Sequence, residues 1–119
     1  MLFSIDYLLI MNLNHYQIKS RETAFYPNVG NNPIYPTLGL AGEAGEVADK
    51  VKKILRDNDG VFDSASKEGI KLELGDVLWY VAQISSELGF NLEDVARANL
   101  SKLANRAKKG SISGSGDNR

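Results

Sequence analysis

Two long stretches of this chain repeat apolar residues at helical spacing, with a turn between them, and that pattern constrains the fold more than any other feature. Placed on a helix, the first puts Leu40, Ala44, Val47, Val51, Ile54 and Leu55 on one face. The second does the same with Ile70, Leu74, Val77, Val81, Ile84 and Leu88, beside a polar stripe of Glu73, Asp76, Tyr80, Gln83 and Glu87. Between them Asp57-Asn58-Asp59-Gly60 has the side chains of a reversing turn. These are the marks of a helical hairpin. No alternating run suggests a strand pair, so the expected class is all-α, of the four-helix-bundle type.

The remaining elements follow from caps and breakers. Asn12 or Asn14 is placed to cap a first helix over residues 15–23, and the loop that follows holds Pro27, Gly30, Pro33 and Pro36. Thr37 is the expected cap of a second helix reaching about residue 56; a third is expected over about residues 66–88, with Gly89 closing it. Asn91-Leu92-Glu93-Asp94 resembles a capping arrangement for a fourth helix ending near Lys109. Residues 110–116 read as a flexible Gly/Ser tail. The chain thus divides into an N-terminal extension over 1–10, with Met11 as a candidate start, a helical domain over 11–109, and a tail over 110–119 able to close over a site.

Composition excludes several functions. With 119 residues and 43% hydrophobic content the chain can bury one core, and a net charge of −1 provides no global field for a nucleic-acid polymer. There is no cysteine, which removes disulfides, thiolate metal sites and thiol nucleophiles, and suits a reducing cytoplasm. The apolar run Tyr7-Leu8-Leu9-Ile10-Met11 is too short to span a bilayer or to act as an export signal. A cytoplasmic protein without a membrane segment is expected. The lone His15 reads as a surface or packing residue.

Chemistry resides in two carboxylate pairs, Glu43 with Glu46 and Glu73 with Asp76, each three residues apart on one helix turn. If the helices pack side by side, four acids converge and need a hard cation such as Mg²⁺. Alternatively they are ordinary exposed charges, with Lys50 pairing to Glu46. Gly39, Gly42 and Gly45 lie within the same helix, where each costs about 1 kcal/mol relative to Ala, so something needs the missing side chains. Close backbone approach and room for a ligand both account for it. From Glu43 to Asp94 twelve acids face six bases, whereas from Arg97 to Arg119 six bases face one acid. Asn99 and Arg106 fall on the inward side of the fourth helix with Leu92, Val95 and Leu103, and Lys102 on its flank. Acids with metal opposite inward cations would suit a polyphosphate; a basic helix that merely balances an acidic region is the competing account.

These residues resemble the MazG-like all-α nucleoside triphosphate pyrophosphohydrolases over nearly the whole chain from Asn12. The carriers are Leu38-Gly39-Leu40-Ala41-Gly42-Glu43-Ala44-Gly45-Glu46-Val47, Glu73-Leu74-Gly75-Asp76-Val77-Leu78-Trp79-Tyr80, Asn99 to Leu103 with Arg106, and the terminal Gly114 to Arg119. Glu43, Glu46, Glu73 and Asp76 match four of the family's acids, while Gly42 stands where the family has a further glutamate. The resemblance implies Mg²⁺, with Mn²⁺ able to substitute, held by these four acids, and hydrolysis of a nucleoside triphosphate to monophosphate and pyrophosphate by metal-activated water. It makes Lys53, Lys102 and Arg106 candidates for phosphate contacts, Tyr80 and Asn99 for sugar or base contacts, and Arg119 a residue that closes the tail. Two alternatives remain: a non-catalytic helical interaction module, and a hydrolase of a phosphoribosyl-nucleotide metabolite.

Because Leu72, Trp79 and Ala82 lie beyond the carboxylate stripe, the third helix is apolar on two sides, and a homo-oligomer, dimer or tetramer, is the expected remedy, with Trp79 and Leu72 near the interface.

Overall fold

The computed structural model describes residues 10–110; the N-terminal extension, Arg119 and nearly all of the Gly/Ser tail lie outside them. Four helices are present, α1 (Leu13–Ser20), α2 (Ile34–Asp57), α3 (Ser64–Leu88) and α4 (Leu92–Lys108), with a 3-10 turn over Arg21–Thr23 and no strand among the described residues. The all-α expectation holds. No helix of the described residues is long and apolar enough to cross a membrane.

The ends of the helices show which local signals decided. Asn12 caps α1 through Oδ1, which accepts from His15 N at 2.9 Å. The helix stops earlier than residue 23, since Thr23 Oγ1 and Ser20 Oγ donate to main-chain carbonyls three residues back and tighten the chain into the 3-10 turn. Thr37 does not cap α2. The helix begins at Ile34, with Asn32 Oδ1 accepting from Tyr35 N, and Thr37 Oγ1 bonds back to the Pro33 carbonyl inside the first turn. Pro36 tolerates this place because first-turn amides have no helical acceptor to lose. α3 begins two residues before the expected 66, with Asp63 as its cap, and Gly89 at φ +81° closes it as expected. Asp59 and Gly60 take positive φ in the expected turn. Asn91 makes no side-chain cap; the Leu92 amide instead donates to Gln17 Oε1 of α1 at 2.7 Å.

α2 and α3 form a long antiparallel hairpin, the dominant packing in the molecule, while α1 packs on the C-terminal half of α3 and α4 packs on α1 and α3. The α2 face expected to be apolar is turned inward at Leu40, Val47, Val51 and Ile54, but Ala44 and Leu55 are exposed. On α3 the correction is larger. Gln83 is completely buried and the Glu87 side chain has no exposed surface, whereas Leu74 and Leu88 are exposed. Ile70, Val77, Val81 and Ile84 are half-buried as expected, while Gln83 and Glu87 of the polar stripe meet α1 and the loop.

That contact holds because most of its polar groups find partners across it, while Glu87 Oε2 is buried with an ion pair but no hydrogen bond. Gln83 Nε2 donates to Ser20 Oγ, Gln83 Oε1 accepts from Arg21 Nη1, and Gln17 Nε2 reaches Ser86 Oγ and the Phe90 carbonyl. Glu87 Oε1 accepts from the Tyr26 hydroxyl and from the Gly30 and Asn32 amides, and Oε2 lies 3.6 Å from Arg21 Nη2. A single carboxylate thus holds the proline-containing loop down on α3. Trp79 is half-buried: its indole N–H bonds to the Ser20 carbonyl and Thr23 Oγ1, and its ring stands edge-on to Tyr26 and Tyr80.

The packing leaves much apolar surface uncovered. Leu38, Leu55 and Leu72 are each about two-thirds exposed, and the radius of gyration, 17.1 Å, exceeds the roughly 13 Å of a compact domain of this size.

Replacing Gln83 by Ala removes its bonds to Ser20 Oγ and Arg21 Nη1 and leaves a void at a fully buried position, which should cost about 2–3 kcal/mol. Urea unfolding at one fixed protein concentration measures it, and a midpoint equal to wild type would show that the network is not structural.

Candidate metal centre and active site

The hairpin's inner seam is a ladder of residues in steps of four and three. On α2 these are Gly39, Glu43, Glu46, Lys50 and Lys53, and on α3, running the opposite way, Tyr80, Asp76, Glu73, Gly69 and Ser66. At its centre Glu43, Glu73 and Asp76 bring carboxylate oxygens within 4.8 Å of one another. Glu43 and Glu73 are half-buried and Asp76 is exposed.

Such crowding shows in the electrostatics. Partial burial pushes the Glu43 carboxyl above the usual range, and Asp76, a hydrogen bond with Glu73, and the charges of Glu73 and Glu46 push it further the same way. Glu46 is exposed and lies outside the three-residue group, though close enough to act on Glu43. Three convergent carboxylate oxygens form the donor set that a hard divalent cation prefers, so these residues fit such an ion.

The other site candidates are more dispersed. Tyr80 adjoins the acids: burial raises its phenol pKa, and Tyr35, Glu43 and Asp76 add to the rise. A Cβ at Gly39 would lie 2.2 Å from the Tyr80 ring, so this glycine is required by close approach of that ring. Around Gly42 and Gly45 a Cβ would meet nothing, so packing within the chain does not explain them. Lys53 is exposed and bonds to Asp49, which it shares with Lys52; the two lysines hold the Asp49 carboxyl down at about 2. On α4, Arg106 is buried as expected, while Asn99 and Lys102 face solvent and Val95 is largely exposed, contrary to the inward placement of Asn99 and Val95. α4 bears on α1 and α3, not comparably on α2. Arg119 lies outside the described residues.

Three residues near the acids escaped the sequence reading. Lys50 reaches across the hairpin, its Nζ 3.7 Å from Glu73 Oε1, instead of pairing with Glu46. Tyr16 of α1 is held above the usual phenol range by burial and then by Asp76. Tyr35 stacks on Tyr26 at 5.1 Å and, with Phe25, Trp79 and Tyr80, lines a hollow of about 320 Å³ next to the acids. Only the seam spacing could have pointed to Lys50; the tyrosines come from other elements and carried no local signal.

A MazG nucleotide pyrophosphohydrolase domain family model matches residues 35–111, which contain all of the hairpin but Ile34, and α4. The chain belongs to this family of hydrolases acting on phosphoric anhydride bonds of nucleotides, whose members typically depend on a divalent metal. It is also 49% identical over 114 residues to the Gene 37 protein of Mycobacterium phage L5, covering 92% of this chain and 100% of that protein, whose name states no activity. No solved structure matches the chain.

Two outcomes are expected. Gly39→Ala drives a methyl group into the Tyr80 ring and should destabilise by about 1–3 kcal/mol, measured by thermal unfolding. For Glu43 the raised pKa means that the folded, metal-free protein holds this proton more tightly than the unfolded chain. Its penalty is therefore present above the folded pKa, which is raised from the ordinary glutamate value, and is relieved as pH falls through it. Acidifying from neutrality should raise the melting temperature of wild type relative to Glu43→Gln, and parallel profiles would refute the crowding.

Proposed function

We propose that the protein is a divalent-metal-dependent nucleoside triphosphate pyrophosphohydrolase cleaving between the α and β phosphates. The observation that carries this reading is the convergence of Glu43, Glu73 and Asp76 within 4.8 Å beside an aromatic hollow. Glu43, Glu73 and Asp76 would hold Mg²⁺, or Mn²⁺ in its place, and the ion when bound supplies acidification of water and neutralisation of the triphosphate.

The chain's residues account for the remaining requirements. Water oxygen bonds to the α phosphorus, the bond from that phosphorus to the bridging oxygen breaks, and pyrophosphate leaves with the electron pair. The water proton needs a carboxylate outside the tight cluster. With Gly42 where the family has another glutamate, Glu46, exposed at the cluster's edge, is the residue we assign to take it. Tyr80, which lines the hollow and lies within the electrostatic reach of Glu43 and Asp76, is the sugar or base contact, with the neighbouring rings offering a stacking surface. Lys53 is a phosphate contact only after leaving Asp49. Asn99 and Lys102 face solvent on a helix that does not bear on α2, so their reading as sugar and phosphate contacts, like the placing of Arg106 and Arg119, belongs to the assembled protein.

Assembly as a homo-oligomer, dimer or tetramer, is part of the proposal. Ile34, Leu38 and Leu55 on α2 and Leu72 and Leu74 on α3 are more than half exposed. Burying each large side chain gains about 1.5–3 kcal/mol, which a second copy supplies.

Incubation with a panel of ribo- and deoxyribonucleoside triphosphates, with and without Mg²⁺, should give monophosphate and pyrophosphate only with metal. Diphosphate plus phosphate would overturn the cleavage site, and no turnover by an intact oligomer would favour an interaction module. Asp76→Asn should lose turnover and weaken metal binding, whereas Glu46→Gln should lose at least about 100-fold in turnover with metal affinity kept; calorimetric titration separates the two.

A further inference from the structure

The seam has a direction. Moving from the Tyr80 end, the side chains are aromatic, then acidic at Glu43, Glu73 and Asp76, and then basic at Lys50 and Lys53. At the basic end Lys50, Lys53, Ile54, Ala65, Ser66 and Gly69 surround a hollow of about 180 Å³. Lys50 stands between this hollow and the acids. Its Nζ is 3.7 Å from Glu73 Oε1, and its stem lies over Gly69, where an added Cβ would be 3.8 Å from both Cδ and Nζ. The flexible four-carbon stem lets the ammonium reach either way.

We infer that Lys50 is an exchangeable counter-cation: it neutralises Glu73 while the acids hold no metal, and turns to the Lys53–Ser66 hollow to bind the pyrophosphate end of the substrate. This rests on the proposed pyrophosphohydrolase reading. Charge supports it, because three converging carboxylates with one ammonium tolerate each other, whereas the same ammonium beside a divalent cation is repelled. The hollow that Lys50 already borders brings it beside Lys53, a second ammonium for the negative charge of the departing group. The aromatic hollow lies at the opposite end, so the order of side chains along the seam matches the order of base, scissile phosphate and leaving group in one extended substrate.

The consequence is a pair of effects of opposite sign, which a merely structural lysine would not produce. For Lys50→Gln, calorimetric titration of Mg²⁺ into protein alone should show binding ~3- to 10-fold tighter, since a competing cation has been removed. At Mg²⁺ saturating for both proteins, affinity for inorganic pyrophosphate should fall ~10-fold or more, while affinity for nucleoside monophosphate stays within about twofold. Lys50→Arg should retain pyrophosphate binding. Mg²⁺ binding that is unchanged or weaker, pyrophosphate affinity that is unchanged, or equal losses for pyrophosphate and monophosphate would each overturn the inference. Failure of the underlying reading is distinguishable: wild type would then release no pyrophosphate from any nucleoside triphosphate.

Discussion

Glu43 and Glu73 face each other at the centre of the one extensive helix contact in this protein, and the rest of the structure accommodates that repulsion. Like charges in a helical seam are ordinarily replaced by apolar residues, because such contacts gain from burial and lose from crowded anions. Here the acids are retained, and their neighbours are adapted to them. Lys50 crosses from the next turn to Glu73, Asp76 stays at the exposed rim, and Gly39 admits the Tyr80 ring beside the acids.

What holds the hairpin's neighbours in place is a polar network. Gln17, Ser20, Arg21, Gln83 and Glu87 join α1, the loop and α3 through directional bonds. Directional bonds specify one arrangement, since each group misplaced would be buried without a partner. That rigidity bears on the site, because the loop fixed by Glu87 carries Tyr26 and leads into Tyr35, and both rings line the aromatic hollow. Much apolar surface remains on the outer faces of α2 and α3, so a single chain satisfies its polar groups better than its apolar ones.

The legible part of the sequence was that with local causes. Helical period, the Asn12 cap, the Asp59-Gly60 turn and the Gly89 terminus are decided by residues within a few positions of one another. Three of the four acids meet for the same reason, as a spacing of three and an antiparallel partner are enough to align them. Thr37 misled because Pro36 reads as a breaker, although a proline in the first turn loses no bond. The bonds of the Trp79 indole carried no local signal, because its acceptors come from α1 and the 3-10 turn, far away in the chain.

The sequence by itself determined that this chain is helical, where its long helices lie and which residue types could handle a cation, since each follows from local propensity and spacing. Tertiary structure alone decided that Gln83 and Glu87 are interior, that Lys50 serves Glu73 and not Glu46, that Glu46 stands apart from the other acids, and that tyrosines from separate elements gather beside them. Those outcomes depend on which helix faces which and at what register. No residue encodes that alone, because it is set by the sum of many weak contacts between segments distant in the chain.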